Sequence, residues 1–321
     1  MQKPIVVVGS INLDLVVAAD RIPKLGETII GNSFHTFHGG KGANQAVAVA
    51  KLEYPVSMVG NVGSDAFGAQ LRKGLQEAGV DTSYVNMVEG PSGVALITIG
   101  RGGENNIVLV PGANAQLTPK QLEKATTLLE RAGLLLTQLE TPLETVEYLA
   151  EFAERRDIPL MLDPAPAHEL SAALLRRITW ITPNETETQA LLKANVENGD
   201  QGYYAAASHL LDCGVKNVLL KLGPRGSLIA EGHQPKERVP AFSVSAVDTT
   251  AAGDAFNAGF AVALMRGATA ARGALFASAV AAISVTRRGA QPSMPTLTEV
   301  KAFITERLGS ESPSFAVETE V

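Results

Sequence analysis

The residues best suited to chemistry are a run of small residues, Ala251 to Gly253, followed directly by Asp254. The run precedes an apolar segment, Phe256–Met265, which is predicted to form a buried helix. The first N–H groups of a helix are unpaired and partly positive, and small side chains let an anion approach them. A carboxylate there can remove a proton from an attacking hydroxyl. Because Asp is also a favoured N-cap residue, this segment alone leaves catalysis and helix capping as alternatives.

A second segment, Phe37–Ala46, places three glycines, a lysine and an amide ahead of an alanine-rich helix predicted over 45–51. The glycines allow close approach of the backbone, and Asn44 can hydrogen-bond a polyol. The segment is not a P-loop, because Gly42 occupies the Ser/Thr position. The dinucleotide fingerprint is also absent from Gly9–Ile11, which disfavours a dehydrogenase.

Further polar side chains follow strands that are predicted to be buried. Asn12 and Asp14 come just after the β-branched run Ile5–Val8, and Glu140 follows Leu134–Leu136. Open α/β sheets bind ligands at the carboxyl ends of their strands, so these groups are well placed to bind the hydroxyls of a ligand. For Asn12 and Asp14, a simple Asx turn is an equally good interpretation.

Two more segments of this kind lie in the second half of the chain. Asn184 and Glu187 follow the strand Trp180–Ile181 and are three residues apart, so both can face one side of a first helical turn. There they could hold phosphate and the water shell of Mg²⁺, or form a capping arrangement. Lys221–Gly226 runs from a strand into a glycine loop, and the hairpin that it makes with Ser227–Ala230 could form the floor under an adenine.

The order of elements predicts an α/β fold. Helices and strands alternate from Val56 to Leu174, as in proteins with a parallel sheet. Short strands predicted over 15–18 and 27–37 have no helix between them, and a hairpin over 94–110 can join them in a small appended sheet. We therefore expect one large domain and a small sheet assembled from separated segments. The polar segment Gly309–Val321 is predicted to be a disordered tail.

Composition narrows the class of protein. The chain has 321 residues, a net charge of −6 and a single cysteine, Cys213. The negative charge gives no field that would attract nucleic acid or an anionic membrane, and the lone cysteine suits a reducing compartment. The N-terminal segment shows no signal peptide, and the longest nearly apolar run, Ala274–Val285, is too short to span a bilayer. We therefore expect a soluble cytoplasmic protein that binds neither nucleic acid nor membranes.

Three separated segments resemble motifs of the ribokinase family of sugar and nucleoside kinases, namely Gly39–Gln45, Thr182–Glu187 and Asp248–Asp254. Three further matches narrow the resemblance to family members that phosphorylate ribose. They lie at Gly9–Asp14, Pro164–Ala167 and Gly289–Ser293. It covers nearly the whole chain apart from the tail. The order and number of these short motifs make a chance match a poor explanation.

This resemblance implies a Rossmann-like, three-layer α/β sandwich with a mostly parallel central sheet and a small β-sheet lid. The kinase domain would span residues 1–308, with the lid built from about 12–38 and 93–112. The lid often pairs two subunits in the family, which implies a homodimer. The implied reaction is transfer of the γ-phosphoryl group of ATP to the 5-hydroxyl of D-ribose, with Mg²⁺ accompanying ATP and K⁺ as a monovalent activator.

The resemblance also implies a role for individual residues. The sugar would be bound by Asn12, Asp14, Gly40, Lys41, Gly42, Ala43, Asn44, Glu140 and Asp254. Asp254 would be the general base, beside an anion hole formed by the amides of Ala251, Ala252, Gly253 and Asp254. The nucleotide and Mg²⁺ would be served by Asn184, Glu187, Lys221, Leu222, Gly223, Pro224, Arg225, Gly226, Gly253, Asp254 and Ser278. A monovalent cation would be held, mostly through backbone carbonyls, by Asp248, Thr250, Ser284, Arg287, Gly289 and Ser293.

The chain departs from the family pattern at a few positions. Lys221 and Pro224 stand where the nucleotide loop more usually has small polar residues. Asp163 replaces a frequent asparagine, and Ala251 stands where many members carry glycine. These differences bear on affinity more than on the type of reaction. Competing interpretations are phosphorylation of 2-deoxyribose or another sugar or nucleoside, and a catalytically silent sugar-binding regulator on the same fold.

Overall fold

The computed structural model describes residues 2–197, 199–232 and 234–309. Within these ranges the strands, labelled β1 to β13 in chain order, are Ile5–Val8, Asn12–Ala18, Ser33–Gly39, Val56–Gly63, Asp81–Val88, Gly93–Ile99, Asn105–Val110, Leu134–Thr137, Leu160–Leu162, Trp180–Ile181, Asn217–Lys221, Ser227–Glu231 and Glu237–Val239. The helices, labelled α1 to α11, are Lys41–Lys51, Ala66–Glu77, Pro119–Lys124, Thr126–Leu129, Leu143–Arg156, Ala172–Arg177, Glu185–Leu192, Asp200–Asp212, Ala252–Met265, Ala270–Ser284 and Leu297–Leu308. Short 3₁₀ segments lie at Gly112–Gln116, Gly223–Arg225 and Gln291–Ser293.

In the described part of the chain, nine strands form one sheet in the order β13-β12-β11-β10-β9-β8-β1-β4-β5. The pairs from β11 to β5 are parallel, whereas β12 and β13 are antiparallel additions at one edge. Alternate residues of β1 enter two different cores: Ile5 and Val7 lie in one, Val6 and Val8 in the other. A strand buried on both faces has helices above and below it. The predicted three-layer α/β sandwich is therefore confirmed.

A smaller sheet has the strand order β3-β2-β6-β7 and is assembled from residues 12–39 and 93–110. The hairpin of β6 and β7 joins it as predicted. The prediction of a strand over 27–37 is wrong in its first half, because β3 begins only at Ser33. The last pair between β2 and β3 joins Ala18 to Ser33, so the preceding residues have no strand opposite them.

Two helices begin earlier than the sequence predicts. Helix α9 begins at Ala252 rather than Phe256, and α1 begins at Lys41 rather than Gln45. In both cases the glycines and alanines that resemble a turn in the sequence belong to the first helical turn. Helix α9 packs on the central sheet, where the ring of Phe260 contacts Trp180 edge-on at 4.9 Å between centroids.

The predicted tail over 309–321 lies, apart from Gly309, outside the described residues. Of the helices in the described ranges, none combines the length and the apolar character needed to cross a bilayer.

Candidate active site

Polar side chains gather where five neighbouring parallel strands end. Strands β11, β10, β9, β8 and β1 lie side by side in the central sheet. At or just beyond their carboxyl ends lie Lys221, Asn184, Asp163, Glu140 and Asn12. Helices α1 and α9 pack against each other beside this edge, so Asp254 joins the same group. The parallel sheet thus brings together residues that are more than 200 positions apart in the sequence.

Asp254 is buried and held by two amides of α1. Its Oδ2 accepts a hydrogen bond from Asn44 Nδ2 at 2.9 Å, and its Oδ1 accepts one from Gln45 Nε2 at 3.0 Å. It does not cap α9, because the N-cap residue is Ala251 and no side chain caps this helix. Burial raises the pKa of Asp254 to about 6; Lys41 opposes the shift and Asp163 adds to it. The carboxylate is therefore positioned for a task other than capping.

The start of α9 leaves several amides without an acceptor. Ala251 lies in the left-handed region with φ of 59°, and the N–H of Ala252 donates to Thr249 O at 3.2 Å. The N–H groups of Ala251, Gly253 and Asp254 make no hydrogen bond within the described residues. Unpaired amides at the positive end of a helix dipole form a binding place for an anion. Of the four amides predicted for the anion hole, that of Ala252 is already engaged in a turn.

Glu140 anchors a second cluster on the other side of the cleft. Its Oε2 accepts hydrogen bonds from Ser10 Oγ at 2.5 Å and from the N–H of Lys41 at 3.2 Å. Asn12 Nδ2 approaches the same oxygen at 3.5 Å, while Asn12 Oδ1 accepts a bond from Asn114 Nδ2 at 2.7 Å. Asn12 Oδ1 thus already accepts one hydrogen bond, whereas its Nδ2 donor is only weakly held and remains able to bind a ligand oxygen.

The glycines of the 39–42 segment serve close contacts within the protein. A Cβ atom on Gly40, whose φ is +87°, would lie 2.7 Å from the backbone N of Asn12. One on Gly42 would lie 2.7 Å from the backbone N of Ser10. The N–H of Ala43 donates to Ser10 O at 2.9 Å, and its side chain lies in the core. Gly42 and Ala43 both pack α1 against the turn between β1 and β2, and their contact with the sugar stays a prediction.

Lys41 and Asn44, from the segment Phe37–Ala46, are also directed towards the cleft. Asn44 Oδ1 is buried and has no hydrogen-bond partner among the described residues. Burial opposes the charge of Lys41, but the carboxylates of Asp254, Asp163 and Glu140 outweigh it, with Glu187 also contributing, and raise its pKa. Lys41 is therefore a stable cation inside an acidic cleft, and Asn44 presents a free acceptor beside Asp254.

Asp14 extends from the small sheet into the same cleft. Its carboxylate lies against the Cα of Gly39, which leaves no room there for a side chain. Burial raises the pKa of Asp14 to about 7; Glu140 and Asp254 add to the rise, and Lys41 opposes it. The small sheet thus contributes a polar group to the cleft.

Asn184 and Glu187 adopt the capping arrangement that the sequence left open. Asn184 is the N-cap of α7, and its Oδ1 accepts the N–H of Glu187 at 2.8 Å. In return Glu187 accepts the backbone N–H of Asn184 at 2.7 Å and its side-chain Nδ2 at 2.9 Å. Burial raises the pKa of Glu187, and Lys221 opposes the shift. A bridge between Asn184 and Lys221 places this helix start beside the glycine loop.

The glycine loop predicted to line the nucleotide site forms the tight turn between β11 and β12. Leu222 is fully buried in the core, so its side chain cannot line a ligand site. Arg225 pairs with Glu185 and lies over the ring of Tyr203 at 5.6 Å. Lys221 forms a buried ion pair with Asp163, 2.8 Å from Nζ to Oδ1. Ser278 is buried within α10, which packs along α9 and against β12 and β13.

The residues predicted to hold a monovalent cation converge from two segments. Asp248 accepts the N–H of Thr250 at 2.9 Å and the N–H of Gly289 at 2.8 Å. Nearby in the chain, the hydroxyls of Ser284 and Ser293 lie 2.8 Å apart. Arg287 instead directs its guanidinium to Glu299 at 2.5 Å. The side chain of Asp248 thus joins the two segments through these hydrogen bonds.

Sequence reasoning missed several polar residues of this cleft. Gln45 Nε2 donates to both Asp254 and Asp163, and Gln45 Oε1 accepts a bond from Gln138 Nε2 at 2.6 Å. Asn114 joins the end of the β6–β7 hairpin to Asn12. The sequence carries little signal for them, since Gln45 resembles any polar helix residue. Asn114 lies in a Gly-Ala-Asn triplet that repeats the one ending at Asn44, which is the only hint.

A parallel α/β sheet whose carboxyl edge combines an acidic cleft, two partly buried lysines and an open helix start provides a binding place for a phosphate-bearing ligand. The chain matches the family described as pfkB family carbohydrate kinase over residues 2–297, and it belongs to that family. It is a sugar kinase, and ATP is its phosphoryl donor.

Individual relatives agree with this assignment. The ribokinase of Haemophilus influenzae is 40% identical over 95% of this chain and 99% of its own. A deoxyribokinase of Salmonella typhimurium is 38% identical over 94% of this chain and 98% of its own. The solved structure of Arabidopsis thaliana ribokinase complexed with ribose and ATP superimposes with a TM-score of 0.89, at 35% identity, over 95% of this chain and 99% of that one.

Proposed function

We propose that the protein transfers the γ-phosphoryl group of ATP to the 5-hydroxyl of D-ribose, giving D-ribose 5-phosphate and ADP. One observation carries this proposal. The carboxylate of Asp254 is buried beside the unpaired N–H groups of Gly253 and Asp254, and beside the free acceptor Asn44 Oδ1. A base and an anion site therefore lie in the first turn of α9, and a hydroxyl-binding group lies beside them in α1.

The polar pattern of the cleft suits a polyol. Asn44 Oδ1 can accept from a hydroxyl, and Asn12 Nδ2 can donate to one. Glu140, held by Ser10 and the backbone of Lys41, and Asp14 add further acceptors. A polyol hydroxyl both donates and accepts, so it can satisfy groups of both kinds. The ribokinases among the relatives favour ribose as that polyol.

In the proposed reaction Asp254 orients the 5-hydroxyl and accepts its proton as the oxygen attacks the γ-phosphorus. The bond from that phosphorus to the β–γ bridging oxygen breaks, and ADP leaves. The amides of Gly253 and Asp254 would meet the negative charge on the migrating group, and Lys41 would balance charge across the cleft. The raised pKa of Asp254, about 6, makes it a better proton acceptor than an exposed carboxylate and leaves it ionised at neutral pH.

Mg²⁺ is expected to enter with ATP as part of the substrate. Five carboxylates, those of Asp14, Glu140, Asp163, Glu187 and Asp254, face two lysines across the cleft. This excess of negative charge would repel an uncomplexed triphosphate, so the nucleotide is expected to bind as its magnesium complex. Asn184 and Glu187 would serve it through water, because their side chains are already bonded to each other. When bound, the ion neutralises phosphate charge.

We also propose a monovalent cation, K⁺, behind the anion hole. The segments around Asp248 and over 284–293 are joined by the hydrogen bond from the N–H of Gly289 to Asp248, and their backbone carbonyls would be the ligands. The described residues contain no group of three or more acidic, histidine or cysteine side chains suited to a metal ion. Carbonyl ligands are hard oxygens, which suit an alkali cation. The bound cation would stiffen the turn that precedes α9.

The small sheet is proposed to act as a lid and to pair two subunits. Leu96 and Val108 lie opposite each other on β6 and β7 and are about half exposed, and Val110 lies on the same face. Phe34 of β3 is also exposed. An exposed apolar patch of this kind marks an interface. We propose a cytoplasmic homodimer, which Leu96→Glu with Val108→Glu would convert to a monomer in sedimentation experiments.

The test of the proposed function is sugar-dependent release of ADP by the purified full-length protein. With ribose, ADP release and a product phosphorylated at C5, identified by ³¹P NMR, are expected. A site built to bind a hydroxyl penalises its absence, so kcat/KM for 2-deoxyribose should be at least roughly tenfold lower. Equal values would overturn the choice of ribose. ADP release that no sugar stimulates, together with measurable sugar binding, would favour the silent regulator instead.

A further inference from the structure

Gln45, near the start of α1, is fully buried between two carboxylates. Its Nε2 donates to Asp254 Oδ1 at 3.0 Å and to Asp163 Oδ2 at 3.0 Å. A primary amide has two N–H donors, so each carboxylate can take one of them. Gln45 therefore joins the proposed base on α9 to the acid that follows β9.

A second amide fixes the orientation of Gln45. Ionised carboxylates only accept hydrogen bonds, so the Nε2 of Gln45 must face them and its Oε1 must face away. There it accepts a hydrogen bond from Gln138 Nε2 at 2.6 Å. Gln138 is buried as well, and its Oε1 lies against Gly9, where a Cβ atom would be only 2.1 Å away. A chain of two amides thus leads from the ends of β1 and β8 to the base.

The two acids would repel each other without a donor between them. Both side chains are buried, so water screens the repulsion poorly. Burial raises the pKa of Asp254 to about 6 and Asp163 adds to the rise, whereas the hydrogen bond from Gln45 opposes it. Charged groups face Asp254 from three elements, namely Lys41 of α1, Asp163 after β9 and Asp14 of β2. Gln45 is the uncharged donor placed between Asp254 and Asp163.

We propose that Gln45 is a positioning residue for the base: its amide fixes Asp254 Oδ1 and lies between it and the carboxylate of Asp163, and Gln138 fixes the amide. This inference rests on the proposed function, because it takes Asp254 as the group that accepts the proton of the sugar hydroxyl. Gln45 acts through Asp254. A cation at this position would pair with the carboxylate and make it a weaker base, whereas the amide stabilises its charge and leaves it basic.

The first test is the pH profile of Gln45→Met, which keeps the length of the side chain and removes its donor. Loss of a hydrogen bond to a charged group should move the acid limb of kcat/KM upwards by about one pH unit. Ribose-dependent ADP release should therefore be roughly tenfold lower than in the wild type at pH 5.5, and nearly equal to it at pH 8.5. If Gln45 only holds α1 against its neighbours, the loss should be the same at every pH, and that result would overturn the proposal.

Gln121→Met is the matched control. Gln121 of α3 exchanges hydrogen bonds with the buried amide of Asn61, at 2.9 and 3.3 Å. Its loss should lower the melting temperature and leave the midpoint of the acid limb unchanged. An equal shift in Gln121→Met and Gln45→Met would show that the pH profile reports general destabilisation, which would contradict the proposal.

Two further variants test the parts of the arrangement while keeping most of its packing. Gln138→Met leaves Gln45 in place without the donor that orients it, so a smaller shift in the same direction is expected. Gln45→Met combined with Asp163→Asn removes the neighbouring charge, so the midpoint should return towards that of the wild type. An unchanged midpoint in Gln138→Met, or the full shift in the double variant, would refute the arrangement.

A titration of Asp254 itself needs neither sugar nor ATP. In protein labelled with ¹³C at the aspartate carboxyl carbons, the NMR signal of Asp254 is the one lost in Asp254→Asn. Its midpoint should lie near pH 6 in the wild type and about one unit higher in Gln45→Met. Equal midpoints would overturn the proposal. A shifted midpoint in a protein that phosphorylates no sugar would refute the proposed reaction and leave the effect of Gln45 on Asp254 intact.

Discussion

Two helix starts in this cleft carry a carboxylate at the same position and use it in opposite ways. In α7 and in α9 the acid is the third helical residue, Glu187 in one and Asp254 in the other. Glu187 turns back onto its own helix start and, with Asn184, satisfies the free N–H groups in a capping box. Asp254 turns away, accepts from Asn44 and Gln45 of a different helix, and leaves its helix start unsatisfied.

The residue before the helix makes the difference. Asn184 has extended backbone geometry and a side chain that accepts the N–H three residues on. Ala251 is left-handed, with no polar side chain to offer. The start of α7 is closed, because its N–H groups are satisfied without a ligand. The start of α9 is open, because its unpaired N–H groups remain for an anion to satisfy. The contrast teaches that the acid does not identify the functional helix start; the unsatisfied amides do.

The largest expected effect is on the open start. Asp254→Asn should retain the fold and sugar binding and lower kcat by roughly 10²- to 10⁴-fold, because the base is lost. Steady-state ADP release and ribose binding by calorimetry measure the two parts separately. Asp212→Asn, which removes an exposed carboxylate at the end of α8, should leave both unchanged. Near-normal turnover in Asp254→Asn would show that Asp254 is a structural residue only, and that the starts of α7 and α9 do not differ in function.

The second expectation is a pH profile. Asp254 must be ionised to accept a proton, and its pKa is raised to about 6, so kcat/KM should fall about tenfold per pH unit below that value. The same shift makes a contribution to stability that is fully present below about pH 4 and is lost as the pH rises through 6. Urea unfolding between pH 4 and 8 should show a smaller decline in Asp254→Asn than in the wild type. A flat kcat/KM profile from pH 5 to 8 would contradict the assignment of the base.

The third prediction concerns the closed start. Asn184→Ala removes the cap of α7 and should lower the free energy of unfolding by about 1 kcal/mol. Ser171→Ala removes the cap of α6, where Ser171 Oγ accepts the N–H of Leu174 at 3.1 Å, and should cost a similar amount. Only Asn184→Ala should also raise KM for ATP, because α7 begins beside Lys221. If both variants lose stability and neither changes KM, the closed start is structural alone.

The smallest expected effect comes from Ala251→Gly. Ala251 has a φ of 59°, a conformation that costs a residue with a side chain about 1–2 kcal/mol. Glycine would remove this cost, but its greater flexibility in the unfolded chain would offset about half of the gain in stability. The variant should therefore be slightly more stable in urea unfolding, with little change in kcat. A large loss of kcat would show that the methyl group of Ala251 shapes the open start, and would sharpen the contrast with Asn184.

The sequence predicted which segments form the candidate site better than it predicted which side chains of those segments face the cleft. It placed Asp254, Asn44, Glu140 and Asn12 as candidates, and the structure brings all four to one cleft. It also named Ala43 and Leu222 as ligand-binding residues; their side chains lie in the core, and their contacts with a ligand stay predictions. Motifs mark a short segment as a whole, and which of its residues face outwards depends on helix phase and on what packs against them.

The sequence by itself determined the α/β alternation, the separate origin of the small sheet, and the positions of small residues and acids along the chain. These follow from local periodicity and from the steric needs of tight turns. Only the tertiary structure decided that Gln45 links Asp254 to Asp163, that Lys221 lies over Gly253, and that one helix start stays open. Such relations join residues from different elements, so they exist only once the parallel sheet has aligned the ends of its strands.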